Sequence, residues 1–197
     1  MFPDIKRATN QISAQIAILT NARATPLVVA VDGRSGSGKS TLANAMATKL
    51  NAVLISGDDF YAGGTILRAE PPEILAGLCI DWRKLRDILK TLINGQSAEY
   101  YPFGWDAFDG SLSGNVIKLL PRPVIILEGV YSARPELRDV VDFTVLVELA
   151  DDVRMQRLLA REGQISDWER QWHGAEDWYF DNAVSVADFD QVIDLTP

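Results

Sequence analysis

Cysteine and histidine are almost absent from the 197-residue sequence, which contains one of each, Cys79 and His173. A single cysteine cannot form a disulfide within the chain, and it excludes any multi-cysteine zinc site. Long apolar runs are absent as well. No stretch approaches the roughly 18 residues that a membrane-spanning helix needs, and residues 1–20 lack the apolar core of a signal peptide. We therefore expect a cytoplasmic protein with no membrane partner.

Basic residues are fewer than acidic ones. The 19 lysines and arginines are outnumbered by 27 aspartates and glutamates, which gives a net charge of −8 and an isoelectric point near 4.7. A protein that binds duplex nucleic acid needs a basic face to displace counterions, so we expect no nucleic-acid partner. A small anion can still bind in a local pocket, because a few oriented amides and one lysine outweigh the global charge there.

Short apolar runs alternate with helix-like patterns along the chain. The runs are rich in β-branched residues, as is typical of buried parallel strands, and cover 27–31, 53–56, 124–127, 143–149 and 191–195. Apolar residues recur at helical spacing over 3–21, 41–51, 80–92, 152–161 and 168–183. This alternation predicts a three-layer α/β fold, with a mainly parallel five-stranded sheet flanked by helices. The length fits a single domain over residues 1–197, with an N-terminal helix within residues 1–24.

Glycine and proline are concentrated in two long segments, residues 62–80 and 95–122. We expect both segments to be loops, with a hairpin near residues 100–103. Loops of this length are more often functional than idle, so both are candidates for contacts with a ligand.

The strongest motif is the segment at residues 33–40, which reads GRSGSGKS and fits G-x-x-x-x-G-K-[ST] at every fixed position. It lies between a predicted strand and a predicted helix, which is the context that this phosphate-binding motif requires. Its glycines allow successive N–H groups to point at phosphate oxygens. We expect Lys39 to bridge the β- and γ-phosphates and the Ser40 hydroxyl to hold Mg²⁺. The other expected nucleotide-binding residues are Gly33, Ser35, Gly36, Ser37, Gly38 and Thr41.

The motif indicates a P-loop NTPase fold but leaves kinases, ATPases, GTPases and nucleotide-gated switches open. GTPases usually carry an N-K-x-D tetrapeptide that reads guanine, and the sequence contains none. ATP, or an unselective nucleotide pocket, is therefore expected.

Two adjacent carboxylates, Asp58 and Asp59, follow the second predicted strand. Ligands bind at the carboxyl ends of strands in open α/β sheets, so these residues are candidates for chemistry. One carboxylate would orient or deprotonate an acceptor hydroxyl, and the other would reach magnesium or its waters. The alternative is a helix cap or a turn. The sequence leaves open which of the two faces the reaction.

Three motifs together resemble the uridine kinase and phosphoribulokinase family of P-loop kinases, as in a uridine kinase-like member with a short lid. They read VDGRSGSGKST at 31–41, DDFY at 58–61 and LEGVY at 127–131, and the similarity covers roughly residues 27–161. The resemblance implies a transfer of the γ-phosphate of ATP, with Mg²⁺, to a hydroxyl of a small-molecule acceptor. It makes the segments at 62–80 and 95–122 acceptor-side loops and places the short lid at 162–173.

The resemblance also implies roles for single residues. Asp58 matches the general base or hydroxyl-orienting aspartate, and Glu128 matches an acidic residue that binds Mg²⁺, so Ser40, Glu128 and Asp58 are the expected metal-binding set. Arg157 and Arg161 match lid arginines that close over the phosphates. The alternative is that these two and Arg154 form a solvated stripe. The expected acceptor-binding residues are Asp59, Tyr61, Asp81, Tyr101, Phe103 and Gln171.

The middle loop departs from the family pattern. Uridine kinases usually carry there a histidine that helps to read the pyrimidine, whereas residues 101–106 read YPFGWD. We expect a nucleoside such as uridine or cytidine as the acceptor. A non-nucleoside alcohol such as a sugar, a sugar phosphate or a pantothenate-like compound is the first alternative. An ATP-gated binding module that phosphorylates nothing is the second.

Beyond the predicted lid, the tail matches the family more loosely. His173 is interpreted as a surface or helix-end residue rather than a catalytic one. Trp168, Trp172 and Tyr179 fall near one helical face and are interpreted as packing against the sheet, with stacking on a ligand as the alternative. The sequence leaves open whether the chain forms a homo-oligomer.

Overall fold

A five-stranded parallel sheet forms the centre of the structure, a computed structural model that describes residues 3–196. The strands are β1 (Leu27–Asp32), β2 (Val53–Ser56), β3 (Ala98–Tyr100), β4 (Ile117–Leu119), β5 (Val124–Glu128), β6 (Phe143–Glu148) and β7 (Gln191–Asp194). The helices are α1 (Pro3–Asn21), α2 (Lys39–Leu50), α3 (Pro72–Leu78), α4 (Trp82–Ile93), α5 (Asp151–Glu162) and α6 (Asp167–Trp178).

The strand order is β2-β5-β1-β6-β7, with every neighbouring pair parallel. Strand β1 is central and all six of its residues are buried, because both faces of the sheet are covered by helices. From β1 the chain moves first to the β2 side, and it later reaches β6 and β7 on the other side. The carboxyl end of β1 therefore lies where the order reverses, which is the usual ligand position in such sheets.

The two faces of the sheet pack against different helices. Alternate residues of β1 point to opposite faces, so Val28 belongs to one core and Val29 to the other. Helices α3, α4 and α6 cover the Val28 face, whereas α1 and α2 cover the Val29 face. These layers confirm the predicted α/β fold. Within residues 3–196, no helix is both long enough and apolar enough to cross a bilayer.

The predicted loops contain more regular structure than expected. The 62–80 segment includes α3, whose first residue is Pro72; proline is favoured at this position because the first helical N–H has no partner within the helix. In the 95–122 segment a hairpin is present near the expected 100–103: β3 and β4 pair antiparallel, and β3 ends at Tyr100. The prediction that 62–80 is only a loop was wrong, because Pro72 was interpreted as a loop signal and not as the start of a helix.

The helix predicted over 168–183 is present with nearly the same bounds. Helix α6 starts at Asp167, where Ser166 and Glu169 form a capping box, so most of the expected 162–173 lid is helical. Its α-helical part ends at Trp178, and Tyr179–Ala183 continue as a π-helical turn. The Tyr179 hydroxyl in this turn donates a hydrogen bond to Asp32, the residue that directly precedes the glycine-rich loop.

Helix α1 should contribute to stability through one buried face. Ile12 is fully buried against the core that contains α2, whereas Ile18 on the same helix is 71% exposed. We expect Ile12→Ala to lower the free energy of unfolding by about 3 kcal/mol, since it leaves a cavity. Ile18→Ala makes the same chemical change on the surface and should stay within about 0.5 kcal/mol of the wild type. Urea denaturation measures both variants; equal values would mean that α1 does not pack as described.

Candidate active site

The glycine-rich loop is held close to strand β6. Gly33 has a φ of 150°, and a Cβ at this position would lie 2.4 Å from the backbone oxygen of Val147. Only glycine therefore fits without a shift of the backbone. Gly38 has a φ of 102° and directly precedes α2, so the loop leads into the amino-terminal end of that helix. Such an end presents unpaired N–H groups and a partial positive charge, which suits phosphate oxygens.

Lys39 carries the positive charge of the loop. Its side chain belongs to the first residue of α2 and is only 7% exposed. Within the part of the chain that the structure describes, no carboxylate forms an ion pair with it at 4 Å or less. A buried ammonium without a paired anion is costly, so an anion bound in the loop would offset that cost. This environment fits the phosphate groups of a nucleotide.

Two adjoining cavities open at the carboxyl end of the sheet, and Ser35, Asp58, Leu158 and Arg161 line both. The first, here called the loop cavity, has a volume of about 470 Å³ and is lined by the glycine-rich loop and the start of α2. The second, here called the aromatic cavity, has a volume of about 550 Å³. Its further lining residues include Asp59, Trp105, Phe108, Trp168, Trp172 and His173.

Ser40 and Glu128 provide neighbouring oxygen atoms beside the loop cavity. The Ser40 hydroxyl donates a hydrogen bond to Glu128 Oε2 over 3.1 Å. Burial raises the pKa of Glu128, against the opposing effect of the nearby Lys39 charge. Hydroxyl and carboxylate oxygens are ligands that Mg²⁺ prefers, and it is commonly held by one or two side chains together with phosphates. Consistent with that mode, residues 3–196 contain no cluster of three His, Cys, Asp or Glu side chains that could hold a metal alone.

Asp58 and Asp59 have different surroundings on the short 3₁₀ turn after β2. Asp59 is half-buried and accepts a hydrogen bond from the Tyr100 hydroxyl over 2.7 Å; burial raises its pKa. Asp58 is exposed and lines both cavities. Of the two carboxylates, Asp58 thus lies at the boundary between the cavities, and Asp59 is already bound to Tyr100.

Aromatic rings form one wall of the aromatic cavity. Trp168 and Trp172 stack on each other with ring centroids 6.2 Å apart, and Trp105 lies 6.3 Å from Trp168. The indole N–H groups of Trp105 and Trp168 each donate to a backbone carbonyl, so the wall presents mainly ring surface. Trp172 also packs against the core on the Val28 face of the sheet, as expected, while Trp168 and Trp172 both line the cavity, as in the alternative of stacking on a ligand. His173 lies inside α6 and lines the same cavity, rather than ending a helix.

Tyr61 and Phe103 lie behind this wall. Both are buried, and their ring centroids are 5.0 Å apart. The Tyr61 hydroxyl donates to the backbone oxygen of Gly64 over 2.6 Å, and burial raises the pKa of Tyr61 to about 12. The Tyr61 ring also contacts Trp172 at 5.3 Å. The two rings therefore support the wall from outside the cavity.

The remaining expected acceptor residues lie away from both cavities. Asp81 caps α4 by accepting a hydrogen bond from the Lys84 backbone N–H over 3.1 Å. Gln171 binds both the N–H and the carbonyl of Arg68, and so ties the 62–80 segment to α6. Tyr101 is 48% exposed. None of these three residues lines either cavity among the described residues.

The three arginines of α5 do not form a uniform solvated stripe. Arg154 is buried, pairs with Asp151, and donates to the backbone oxygen of Ser35 over 3.2 Å. Arg157 lines the loop cavity, and Arg161 lines both cavities. Arg154 therefore supports the glycine-rich loop from behind, whereas the other two present positive charge to the cavities.

Asp32, which the sequence analysis did not single out, connects the loop to the rest of the fold. Its buried carboxylate accepts hydrogen bonds from the N–H groups of Gly33, Tyr131 and Ala133 and from the Tyr179 hydroxyl, over 2.8 to 3.1 Å. Burial raises its pKa to about 6 despite these four donors. Tyr131 has a left-handed φ of 71°, a strained conformation that its bond to Asp32 helps to hold. The sequence signal that could have identified Asp32 is its position as an acidic residue at the end of an otherwise apolar strand.

Comparisons with known proteins agree with this geometry. No protein-family model matches the sequence. A curated uridine kinase from Halalkalibacterium halodurans is 31% identical over 144 residues, which cover 70% of this chain and 67% of that protein. A structure described as a possible uridine kinase from Bacillus stearothermophilus has a TM-score of 0.66 at 23% identity, covering 93% of this chain and all of that one. A D-glycerate 3-kinase from Cryptococcus neoformans has a TM-score of 0.61 at 18% identity, covering 89% of this chain and 86% of that one.

The Asp32 carboxylate should be a major determinant of stability. We expect Asp32→Ala to lower the free energy of unfolding by about 3 kcal/mol or more, because it leaves buried N–H groups without acceptors. Tyr179→Phe removes one donor and leaves the other three in place, so it should cost only about 1 kcal/mol. Guanidinium denaturation would establish this order. Asp32→Ala at wild-type stability would show that water or another group replaces the carboxylate.

Proposed function

The chain belongs to the uridine kinase family, and we propose that it transfers the γ-phosphate of ATP, bound with Mg²⁺, to a hydroxyl of a nucleoside such as uridine or cytidine. It is a phosphotransferase with an alcohol group as acceptor. The observation that carries the proposal is the meeting of the two cavities at Asp58. A phosphate donor in one cavity and a hydroxyl acceptor in the other would approach each other beside this carboxylate.

The loop cavity is the proposed site of the triphosphate. Lys39 and the N–H groups of the glycine-rich loop would bind its oxygens, and Arg157 and Arg161 would add positive charge around the transferred group. We assign residues 162–173 as the lid. Arg161 directly precedes this segment, so movement of the lid would also move Arg161. Ser40 and Glu128 would hold Mg²⁺ beside this cavity, and Asp58 in its lining is the alternative metal ligand that the Asp58→Asn variant tests. The bound ion would neutralise charge on the phosphate oxygens.

Asp58 is the proposed base. It would accept the proton of the acceptor hydroxyl as the oxygen forms a bond to the γ-phosphorus. The bond between this phosphorus and the β–γ bridging oxygen breaks at the same time, and ADP leaves with that electron pair. The protein then contributes mainly by placing donor and acceptor in line, since phosphoryl transfer needs little covalent help.

The aromatic wall favours an acceptor that carries a ring. Trp105, Trp168 and Trp172 offer apolar ring surface on which a flat base can stack. His173 lines the same cavity and has two ring nitrogens that could hydrogen-bond to the edge of a base.

One observation favours the alternative acceptor, a non-nucleoside alcohol. Asp81, which the resemblance to uridine kinases implied would bind the acceptor, instead caps α4 and lies outside the cavity. A structural relative of this chain, the D-glycerate 3-kinase, is named for an acceptor without a base. The second alternative, an ATP-gated module that phosphorylates nothing, is disfavoured by membership of a kinase family.

An ADP-release assay tests the proposal. Purified protein with Mg-ATP is measured without acceptor, then with uridine, cytidine, D-glycerate, sugars, sugar phosphates and pantothenate. We expect a pyrimidine nucleoside to raise ADP release strongly, and Lys39→Ala to lower the stimulated rate about 100-fold or more. Stimulation by another alcohol alone would keep the kinase and replace the acceptor. No stimulation by any compound would overturn the proposal in favour of the ATP-gated module.

The base assignment predicts a specific kinetic signature. Asp58→Asn should lower kcat about 100-fold or more and change ATP affinity little, because the proposed partner of Asp58 is the acceptor hydroxyl. Asp59→Asn is the matched control, and we expect a much smaller loss of kcat since Asp59 is bound to Tyr100. Steady-state kinetics and ATP titrations measure both effects. A matching loss of ATP affinity in Asp58→Asn would assign this residue to the metal site.

A further inference from the structure

Glu176 is a buried acidic residue that binds the glycine-rich loop from α6. Its side chain is only 1% exposed. Its Oε2 accepts a hydrogen bond from the Ser35 backbone N–H over 2.9 Å, and its Oε1 accepts one from the Ser35 hydroxyl. The two residues are 141 positions apart in the sequence, so only the fold brings them together.

Ser35 is a residue of the glycine-rich loop whose polar groups are all hydrogen-bonded. It lines both the loop cavity and the aromatic cavity. Its carbonyl accepts a hydrogen bond from Arg154, so its N–H, hydroxyl and carbonyl groups are all bound by α5 or α6. The preceding residue, Arg34, pairs with Asp177 at 3.0 Å and with Asp181 at 3.1 Å. The first half of the loop is thus attached mainly to α6 and the turn that follows it.

A carboxylate in this position needs an explanation beyond the proposed binding of phosphate. A negative charge beside an anion-binding loop opposes the binding of a triphosphate. Burial of a carboxylate is also costly unless hydrogen bonds compensate for the lost water. The only polar groups that hydrogen-bond to the Glu176 carboxylate among the described residues belong to Ser35. The effect of the carboxylate is to fix the direction in which the Ser35 N–H group points.

The same helix carries the aromatic wall. Trp168, Trp172 and Glu176 are spaced at four-residue intervals, so they lie along one face of α6. The first two line the aromatic cavity, and the third binds the loop. A shift of α6 on filling the aromatic cavity would therefore be passed to Ser35.

We propose that Glu176 is a positioning residue that holds Ser35 in place between the two cavities and links the aromatic wall to the glycine-rich loop. The inference rests on the proposed function for its rate measurement, but not for its exchange measurement. It assigns Glu176 no contact with the reacting atoms.

Hydrogen exchange of the segment 33–40 in the nucleotide-free protein tests the positioning directly. We expect Glu176→Ala to speed exchange in this segment by about 10-fold or more, because the Ser35 amide loses its acceptor. Glu176→Gln should remain within a few-fold of the wild type. Its Oε1 can accept from the amide and its Nε2 can donate to the hydroxyl. Arg170→Ala is the matched control on α6, since this residue is exposed and pairs only with Asp167 among the described residues.

Turnover separates positioning from mere support of the fold. With the acceptor found in the panel, Glu176→Ala should lower kcat about 10-fold or more, with acceptor KM changed much less, and Glu176→Gln should restore it. Rates are compared per folded molecule, well below the unfolding temperature of each variant. Faster exchange with wild-type kcat would overturn the proposal by making Glu176 structural only. A glutamine variant as slow as the alanine variant would also overturn it.

Two further outcomes, an unfolded Glu176→Ala variant and the absence of any acceptor, also lead to a decision. If Glu176→Ala does not fold, Ser35→Ala removes only the hydroxyl partner. It should still speed exchange and lower kcat, and wild-type values in both measurements would overturn the proposal. If no acceptor is found at all, the proposed function fails, while the exchange data still decide whether Glu176 holds the loop.

Discussion

The buried carboxylate of Asp32 is the constraint on which the arrangement of the site depends. It ends the central strand and receives donors from the start of the glycine-rich loop, from the segment after β5, and from the π-helical turn after α6. These three segments are distant in sequence, and two of them also share apolar contact, since the Tyr131 and Tyr179 ring centroids lie 4.8 Å apart. The hydrogen bonds to the Asp32 carboxylate add a polar connection that reaches all three segments. The raised pKa of Asp32 indicates how strongly burial opposes this arrangement.

Positively charged side chains line the loop cavity although the net charge of the chain is negative. The chain has a net charge of −8, yet Lys39, Arg157 and Arg161 all line the loop cavity. Two acidic residues near this cavity are bound to specific donors, Glu128 to Ser40 and Glu176 to Ser35. Among the described residues Lys39 and Arg157 form no ion pair, whereas Arg161 pairs with Glu162. Global charge therefore describes which macromolecules the surface avoids, and local geometry describes which small molecule it can bind.

The sheet was predictable because its strands are short, continuous apolar runs, as β1 and β5 illustrate. The glycine-rich loop was predictable because backbone contact with phosphate demands glycine at set positions. Prediction was poorer where a residue has more than one use. Pro72 starts a helix instead of breaking one, and Asp81 caps α4 instead of facing the cavity. Trp168 and Trp172 are a second example, because an aromatic face on a helix indicates that the face is covered but does not indicate which surface or ligand covers it.

By itself, the sequence determined the α/β class, the phosphate-binding loop and the kinase family, because each depends on local pattern and on residues within one motif. Only the tertiary structure decided that Asp58 lies between two cavities, that Tyr61 and Phe103 stand behind the wall, and that Glu176 binds Ser35. These are contacts between segments far apart in the chain. Their geometry follows from how the helices pack on the sheet, which no local pattern records.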